Sequence, residues 1–406
     1  MKPVYVAGID VHKTMLAVVI GAPGVPEAQW QRRRFGTSMT QIRWLAAWLQ
    51  EQQVVEVAME STALYWRPVW LGLEGQFRLH LAQARSNPAP RGRKSDDQDA
   101  VRIVRRLIAN DLTLSWVPPA EQRLWRVLAR TRVQFIRDQV QARNRIECIL
   151  EEGQIKISAW VSDLLGKSGR RILDALVEGH SNPRELAALA DYRLRATPEQ
   201  LQEACEGRLL QTHRMILGLF LNQIDQLEEQ IQKIDEQLAT EQQAYCEALA
   251  RLCKMPGIDL HAARQIIAEI GPDVAAFASP QQLASWTGVC PGRQESADVS
   301  YSNRCPKGNR HLRRILNQVA WAAVRTKGSY FQACFQRWLP RLGPQKAAWA
   351  IAHKILKLIW RLLRHNANYQ ERGSLLLDPK AAKRARNRHL RALQKLGFQV
   401  TLTTPS

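Results

Sequence analysis

The sequence predicts an α/β N-terminal domain, a long helical coiled-coil segment and a mainly α C-terminal domain that ends in a basic tail. Three observations carry this prediction. Residues 1–115 alternate short β-type apolar runs with amphipathic helical stretches. After the break at Val117-Pro118-Pro119 the apolar spacing becomes helical and stays so for about 130 residues. At 406 residues the chain is also too long for one ordinary domain.

Taken in order, Val4 to Ile9 is a buried-strand run that ends at Asp10, and Met15 to Ile20 is a second strand after the turn Val11-His12-Lys13-Thr14. Gln41 to Gln50 places Ile42, Leu45 and Leu49 on one helical face. Val54 to Met59 is a strand ending at Glu60, followed by a helix from Ala63 to Leu73 and a strand from Phe77 to Ala82. A polar loop marked by Pro and Gly, Asn87 to Gly92, leads to a helix over Ser95–Asn110 with Ser95 as its N-cap. Leu124 to Leu150 reads as one long helix. Leu217, Phe220, Ile224, Leu227, Ile231, Ile234 and Leu238 form a heptad seam on another. Either an antiparallel helical hairpin or a dimerising coiled coil accounts for the two. Beyond Leu252, Pro256-Gly257-Ile258-Asp259 precedes a helix over His261–Ile270, a pattern similar to a helix-hairpin-helix. A polar loop rich in Gly and Pro then leads to basic helices over His311–Thr326 and Lys346–His365. The implied domains are 1–115, 116–250 and 251–370, with a tail over 371–406.

The formal net charge is +21, and its placement matters more than its size. From Val299 to Gln370 there are 14 Lys or Arg and no Asp or Glu. From Val299 to the end, 22 bases face only Glu371 and Asp378, so almost the whole excess lies in the last quarter. Solvated faces normally intersperse both signs; a stretch this poor in acids points to phosphate neutralisation. No apolar run reaches the roughly 18 residues of a spanning helix, and the N-terminus has no signal-peptide pattern. Membrane partners are therefore not expected and a cytoplasmic location is. The seven cysteines show no CxxC spacing, so neither a zinc site nor a disulfide framework is expected. Trp44, Trp48 and Trp160 sit at helical core spacing and read as packing residues.

Four carboxylates have a distinctive placement. Asp10 and Glu60 each end a strand. Asp96 and Asp99 open a helix at i, i+3 and so share a face. Asp97, between them, reads as solvated. Four acids at one point repel unless a cation offsets them, and such hard oxygen donors suit Mg²⁺ or Mn²⁺. His12, beside Asp10, reads as a turn residue before it reads as a ligand.

The joint pattern Gly8-Ile9-Asp10, Met59-Glu60-Ser61-Thr62 and Lys94-Ser95-Asp96-Asp97-Gln98-Asp99-Ala100 resembles the DEDD-type transposases of insertion sequences, a family of bridge-RNA-guided recombinases. The resemblance runs from Asp10 to about His365 and departs at Ala63, where the family usually has glycine. It implies an α/β RNase H-like (RuvC-like) fold for the N-terminal domain, with Asp10, Glu60, Asp96 and Asp99 as catalytic metal ligands. It also implies a catalytic serine five residues after the proline of a turn, which here runs from Pro291 to Ser296; Ser300 is the neighbouring alternative. A serine nucleophile would hold the cut strand as a phosphoserine ester. Arg293, Arg304, Lys307, Arg310, Arg313 and Arg314 then read as the nucleic-acid-binding set around it. The partners implied are double-stranded DNA as donor and target, a guide (bridge) RNA, and further copies of the chain in a dimer or tetramer that joins the acids of one subunit to Ser296 of another. The competing reading is a RuvC-like junction resolvase that uses water as nucleophile.

Overall fold

The computed structural model describes residues 4–60, 63–83, 96–291, 294–296, 299–302, 304–371, 373 and 379–400, of which 294–296, 299–302 and 379–385 are described in backbone only. It divides into two compact units, Met1–Pro118 and Pro119–Ser406.

The first unit is built on a five-stranded sheet. Its strands are β1 (Tyr5–Val11), β2 (Met15–Gly21), β3 (Gln31–Gly36), β4 (Val54–Glu60) and β5 (Arg78–Ala82), in the order β3-β2-β1-β4-β5. The pairings β1–β2 and β2–β3 are antiparallel, whereas β1–β4 and β4–β5 are parallel. One face is covered by α1 (Met39–Glu51) and α2 (Trp66–Leu73). There Ile9, Leu16, Val18, Met59, Leu45, Leu49 and Trp70 share a core. The other face is covered by α3 (Asp96–Ile108), whose Ala100, Val101 and Val104 pack with Val6, Val19 and Trp30. Strands β4 and β5 are joined through α2, the kind of crossover a parallel pair needs.

Strand β3 has no apolar run to announce it. It is Gln31-Arg32-Arg33-Arg34-Phe35-Gly36 at the sheet edge, with only Phe35 buried. Edge strands with exposed charge lack the alternation that marks a strand in sequence. Trp44 corrects another expectation. It is 55% exposed because the buried stripe of α1 runs through Ile42, Leu45, Ala46, Trp48 and Leu49, one position away. Trp160 is also exposed, lying beyond a short 3₁₀ turn and not on a helix. Trp48 is buried as expected.

The second unit is helical. Helix α4 (Ala120–Glu152) has 33 residues and packs along α8 (Gln211–Glu241). The pairs run in opposite senses, Arg132 to Asp235, Gln139 to Glu228 and Arg145 over Phe220. The two long helices are therefore an antiparallel hairpin within one chain. At one end Ile146, Leu150, Leu217 and Leu221 form a core with α5 (Lys167–Glu178), α6 (Pro183–Ala188) and α7 (Pro198–Ala204). At the other end α4 meets a bundle made of α9 (Cys246–Cys253), α10 (Leu260–Ile270), α11 (Pro280–Thr287), α12 (Arg310–Arg325), α13 (Tyr330–Leu342) and α14 (Pro344–Arg364). The tail helix α15 covers Pro379–Lys395. Between α11 and α12 lies a two-stranded hairpin, β6 (Gln294–Ser296) and β7 (Val299–Ser302), in a segment that read as polar loop. Among the described residues no helix is long and apolar enough to cross a membrane.

The turn over Pro256–Asp259 joins α9 to α10. Gly257 has φ +84°, and a Cβ there would lie 2.6 Å from backbone atoms of Val319 and Ala323. Glycine at this turn thus serves close packing on α12. Asp259 caps α10 by accepting from the Ala262 N–H at 2.7 Å.

Candidate functional site

Register and pleat bring two of the acids together. Ile9 pairs with Met59 across the parallel β1–β4 ladder, so the next residues, Asp10 and Glu60, stand side by side at the strands' C-terminal ends. Side chains alternate across a strand. Ile9 and Met59 enter the α1–α2 core, so Asp10 and Glu60 turn to the face that α3 covers. Gly8 is on that same face, and a Cβ on it would stand 2.6 Å from the Ala100 carbonyl oxygen. Its bare backbone lets α3 lie directly on β1, and α3 then delivers Asp96 and Asp99 from its first turn.

Two basic side chains tie the acids into one cluster. His12 Nε2 lies 3.0 Å from Asp10 Oδ2 and 3.2 Å from Asp96 Oδ1. Arg102 donates from Nη1 to Asp99 Oδ1 at 2.6 Å and from Nη2 to Glu60 Oε2 at 3.4 Å. Asp10 is buried, and this burial pushes its carboxyl above the ordinary Asp range. The charges of Asp99 and Asp96 add to the rise, against the pull of His12. Asp97, expected to be solvated, pairs with Arg34 of β3 at 3.0 Å.

The donor chemistry fits a divalent cation. Asp10, His12 and Asp96 each offer one ligand atom, all within 4.8 Å of one another. Carboxylate oxygens predominate, as Mg²⁺ and Mn²⁺ prefer. His12 is a turn residue, its N–H closing on Met15 O at 2.9 Å, and its ring also lies against two carboxylates. Arg102 went unread, although its place three residues after Asp99 on one helix face was a usable signal. Ala63 adopts φ +45°, the left-handed region where glycine is favoured, which explains the usual residue at that position. Ser95 and Arg293 lie outside the described residues.

In the second unit, Ser296 ends β6 and pairs with Val299 of β7, whereas Ser300 pairs with Glu295. The base of this hairpin is closed backbone against backbone. A Cβ on Gly308 would lie 2.2 Å from Thr287 O, and one on Gly288, at φ +74°, 2.5 Å from Pro306 O. Arg304, Lys307 and Arg310 are exposed beyond the hairpin. Arg313 donates to Pro306 O at 2.7 Å and lies over the Trp349 ring, and half-buried Arg314 donates to Gln265 Oε1 at 2.6 Å. Arg313 thus braces the segment that follows the hairpin, and Arg314 ties α12 to α10.

Buried Glu269 of α10 anchors the start of α12. Arg130 of α4 donates to both its oxygens at 2.8 and 2.9 Å, and Asn309 donates to it at 2.7 Å while capping the N–H groups of His311 and Leu312. Burial alone would raise this carboxyl; Arg130, Arg126 and Asn309 instead hold it below the ordinary range. Burial and the adjoining Arg130 charge push His311 down to about 4, so its ring is neutral at pH 7. Replacing Glu269 by Gln is expected to lower unfolding free energy by about 3 kcal/mol, because Arg130 and Arg126 lose their counter-charge. A urea midpoint shift worth less than about 1 kcal/mol would contradict this. The sign with pH follows from the lowered pKa. The stabilisation is complete at neutral pH and is lost as pH falls through the folded-state value.

The first unit thus brings four acids together from two strand ends and one helix start, and the second carries an acid-free basic stretch from Val299 to Gln370. Residues 7–154 match the family model for DEDD proteins of IS110 elements, described as "Transposase". Residues 249–336 match the model described as "Transposase IS116/IS110/IS902 family". Residues 7–154 and 249–336 are thus each similar to a domain model described as a transposase. It is 29% identical over 119 residues to an uncharacterized 42 kDa protein of insertion element IS900 from Mycobacterium paratuberculosis, covering 29% of this chain and 30% of that protein. It is 26% identical over 195 residues to y4pF/y4sB of Sinorhizobium fredii, whose name assigns it provisionally as a transposase. That match covers 46% of this chain and 48% of the relative. The chain thus spans about half or less of the length of these relatives.

Proposed function

We propose that this protein is the transposase of an insertion sequence, a metal-dependent DNA recombinase that cuts and rejoins strands through a phosphoserine on Ser296. The observation that carries the reading is the convergence of Asp10, Glu60, Asp96 and Asp99 from β1, β4 and α3. An RNase H-like (RuvC-like) first domain is supported by the sheet, in which antiparallel β3-β2-β1 continues into parallel β4 and β5, with Asp10 and Glu60 at the ends of β1 and β4.

Asp10, Asp96, Glu60 and Asp99 would hold Mg²⁺ or Mn²⁺, with the His12 ring against Asp10 and Asp96 and the Arg102 charge against Glu60 and Asp99. Such a cation, when bound, polarises a phosphodiester and stabilises charge on its oxygens. The serine oxygen forms a bond to phosphorus as one P–O bond to sugar breaks; the proton lost by the serine is passed on to the freed sugar oxygen, which leaves as a hydroxyl. The phosphoserine keeps the phosphodiester bond count constant, so a second strand's hydroxyl can reverse the step without an external energy source. Arg304, Lys307 and Arg310 meet DNA phosphates. The reading extends to a guide RNA, for which the acid-free stretch of 14 bases over Val299–Gln370 offers phosphate-binding charge, and to a homo-oligomer that would join the acids of one copy to Ser296 of another.

The test uses purified protein, Mg²⁺ and duplex DNA carrying the element ends. Cleavage with a covalent adduct on the Ser296 peptide, found by mass spectrometry and absent with EDTA, is expected. Cleavage that leaves free phosphate ends and no adduct would transfer the assignment to a water-using junction resolvase. Sequencing of co-purified RNA tests the guide: one discrete species is expected, and none would remove that part of the reading.

A further inference from the structure

A cleft of about 920 Å³ opens between α13, α14 and the segment after α14, and nothing in the reaction proposed above uses it. Its walls combine flat aromatic rings with fixed positive charge. Tyr330, Trp338 and Tyr369 supply the rings, and Lys354, Lys357 and Arg361 supply the charge. Among the described residues no carboxylate lines it. Glu371, which follows the lining residue Gln370, accepts from the Tyr330 N–H at 3.0 Å and the Tyr369 hydroxyl at 2.7 Å.

The two kinds of group are interleaved. Lys354 Nζ lies 4.7 Å from the Tyr330 ring centroid and 5.6 Å from that of Trp338, so one ammonium serves both rings. Tyr369 stacks on buried Phe331 at 6.3 Å and 10° between planes, which fixes its orientation. Buried Trp360 ties α14 to the Phe277 carbonyl at 2.9 Å, so the helix that carries the cations is anchored. His353 is held below its ordinary value by burial and by Lys357, which leaves a neutral ring able to donate or accept a hydrogen bond.

Rings held for stacking beside cations held for phosphate are what an unpaired nucleotide requires. A duplex hides its base faces and offers only its backbone. An acidic peptide would use the charge but not the rings. An apolar ligand would use the rings and leave three cations desolvated. The volume is also ample for a nucleotide, at the upper end of the roughly 300–1,000 Å³ typical of ligand clefts.

We infer that the α13–α14 cleft, built on Tyr330, Trp338, Lys354 and Arg361, is a binding site for an unpaired nucleotide of single-stranded nucleic acid. This rests on the nucleic-acid reading of the chain and adds a single-strand site to it. The full-length protein is titrated into a single-stranded RNA, a single-stranded DNA and a duplex DNA, each carrying one 2-aminopurine. Tyr330→Ala and Trp338→Ala are each expected to weaken single-strand binding by about 5- to 100-fold, the range of one lost base–aromatic stack, and to leave duplex affinity within about twofold. Tyr330→Phe keeps the ring and is expected to bind as wild type. The stronger of the RNA and DNA arms identifies the source of the nucleotide. Unchanged single-strand affinity in both Ala variants overturns the site, and so does an equal fall for single strands and duplex. Either result leaves the transposase reading intact as long as wild-type protein binds the duplex; wild-type protein that binds no duplex overturns that reading itself.

Discussion

Asp10→Asn is expected to lower metal-dependent strand cleavage by on the order of 10⁴-fold while the metal-free protein stays at least as heat-stable as wild type. Asp10 is the most enclosed of the acids, buried at the end of β1, and it shares His12 with Asp96. Its carboxyl is raised by burial and by Asp99 and Asp96, so the folded chain holds this charge at a disadvantage. Asparagine fills the same space and keeps one acceptor for His12, yet it removes the charge that a cation would answer. Function and stability therefore move apart. Thermal unfolding with and without Mg²⁺ separates a ligand from a structural residue. Wild-type Tm is expected to rise with Mg²⁺ because the ion binds the folded state, and Asp10→Asn is expected to lose most of that rise. A variant with full cleavage, or one whose metal-free Tm collapses, would show that Asp10 serves the fold and not the cation.

The parts of this molecule that sequence made legible are those where one local signal decides the outcome. The β1 run Tyr5–Val11 and the α4 periodicity needed only the period of their apolar residues. Asp10 and Glu60 were legible because each ends such a run. Their partners were not, because ion pairing depends on where α3 lies over the sheet. That position is set by the missing Cβ of Gly8 against Ala100, a contact between residues 92 apart in sequence. His12 and Arg102 join acids on different elements, and Glu269 joins α4, α10 and α12. Strand β3 and the β6–β7 hairpin were hidden for another reason. Each is polar along its length and is held by backbone pairing, which leaves little trace in side-chain pattern.

Ser296→Ala is expected to abolish the covalent protein–DNA adduct and to reduce strand rejoining by on the order of 10⁴-fold or more, since no other group replaces a lost nucleophile. The fold gives reason to expect a clean result. Ser296 ends β6 beside the connection to β7, and the hairpin is pinned at its other end, where Gly288 lies against the backbone of Pro306 and Gly308 against that of Thr287. Alanine at the far end of so short a ribbon disturbs neither that contact nor the Asn309 cap on α12, so duplex binding and Tm are expected to stay at wild-type values. Ser300 is the necessary comparison. It sits one ladder pair nearer the base, opposite Glu295, and Ser300→Ala is expected to retain adduct formation within a few-fold. The measurement is gel-shifted, protease-sensitive DNA after denaturation, read for both variants at equal occupancy. If Ser300→Ala loses the adduct and Ser296→Ala keeps it, the nucleophile is Ser300. If both keep it, the linkage lies outside this hairpin and the phosphoserine route proposed for it is wrong.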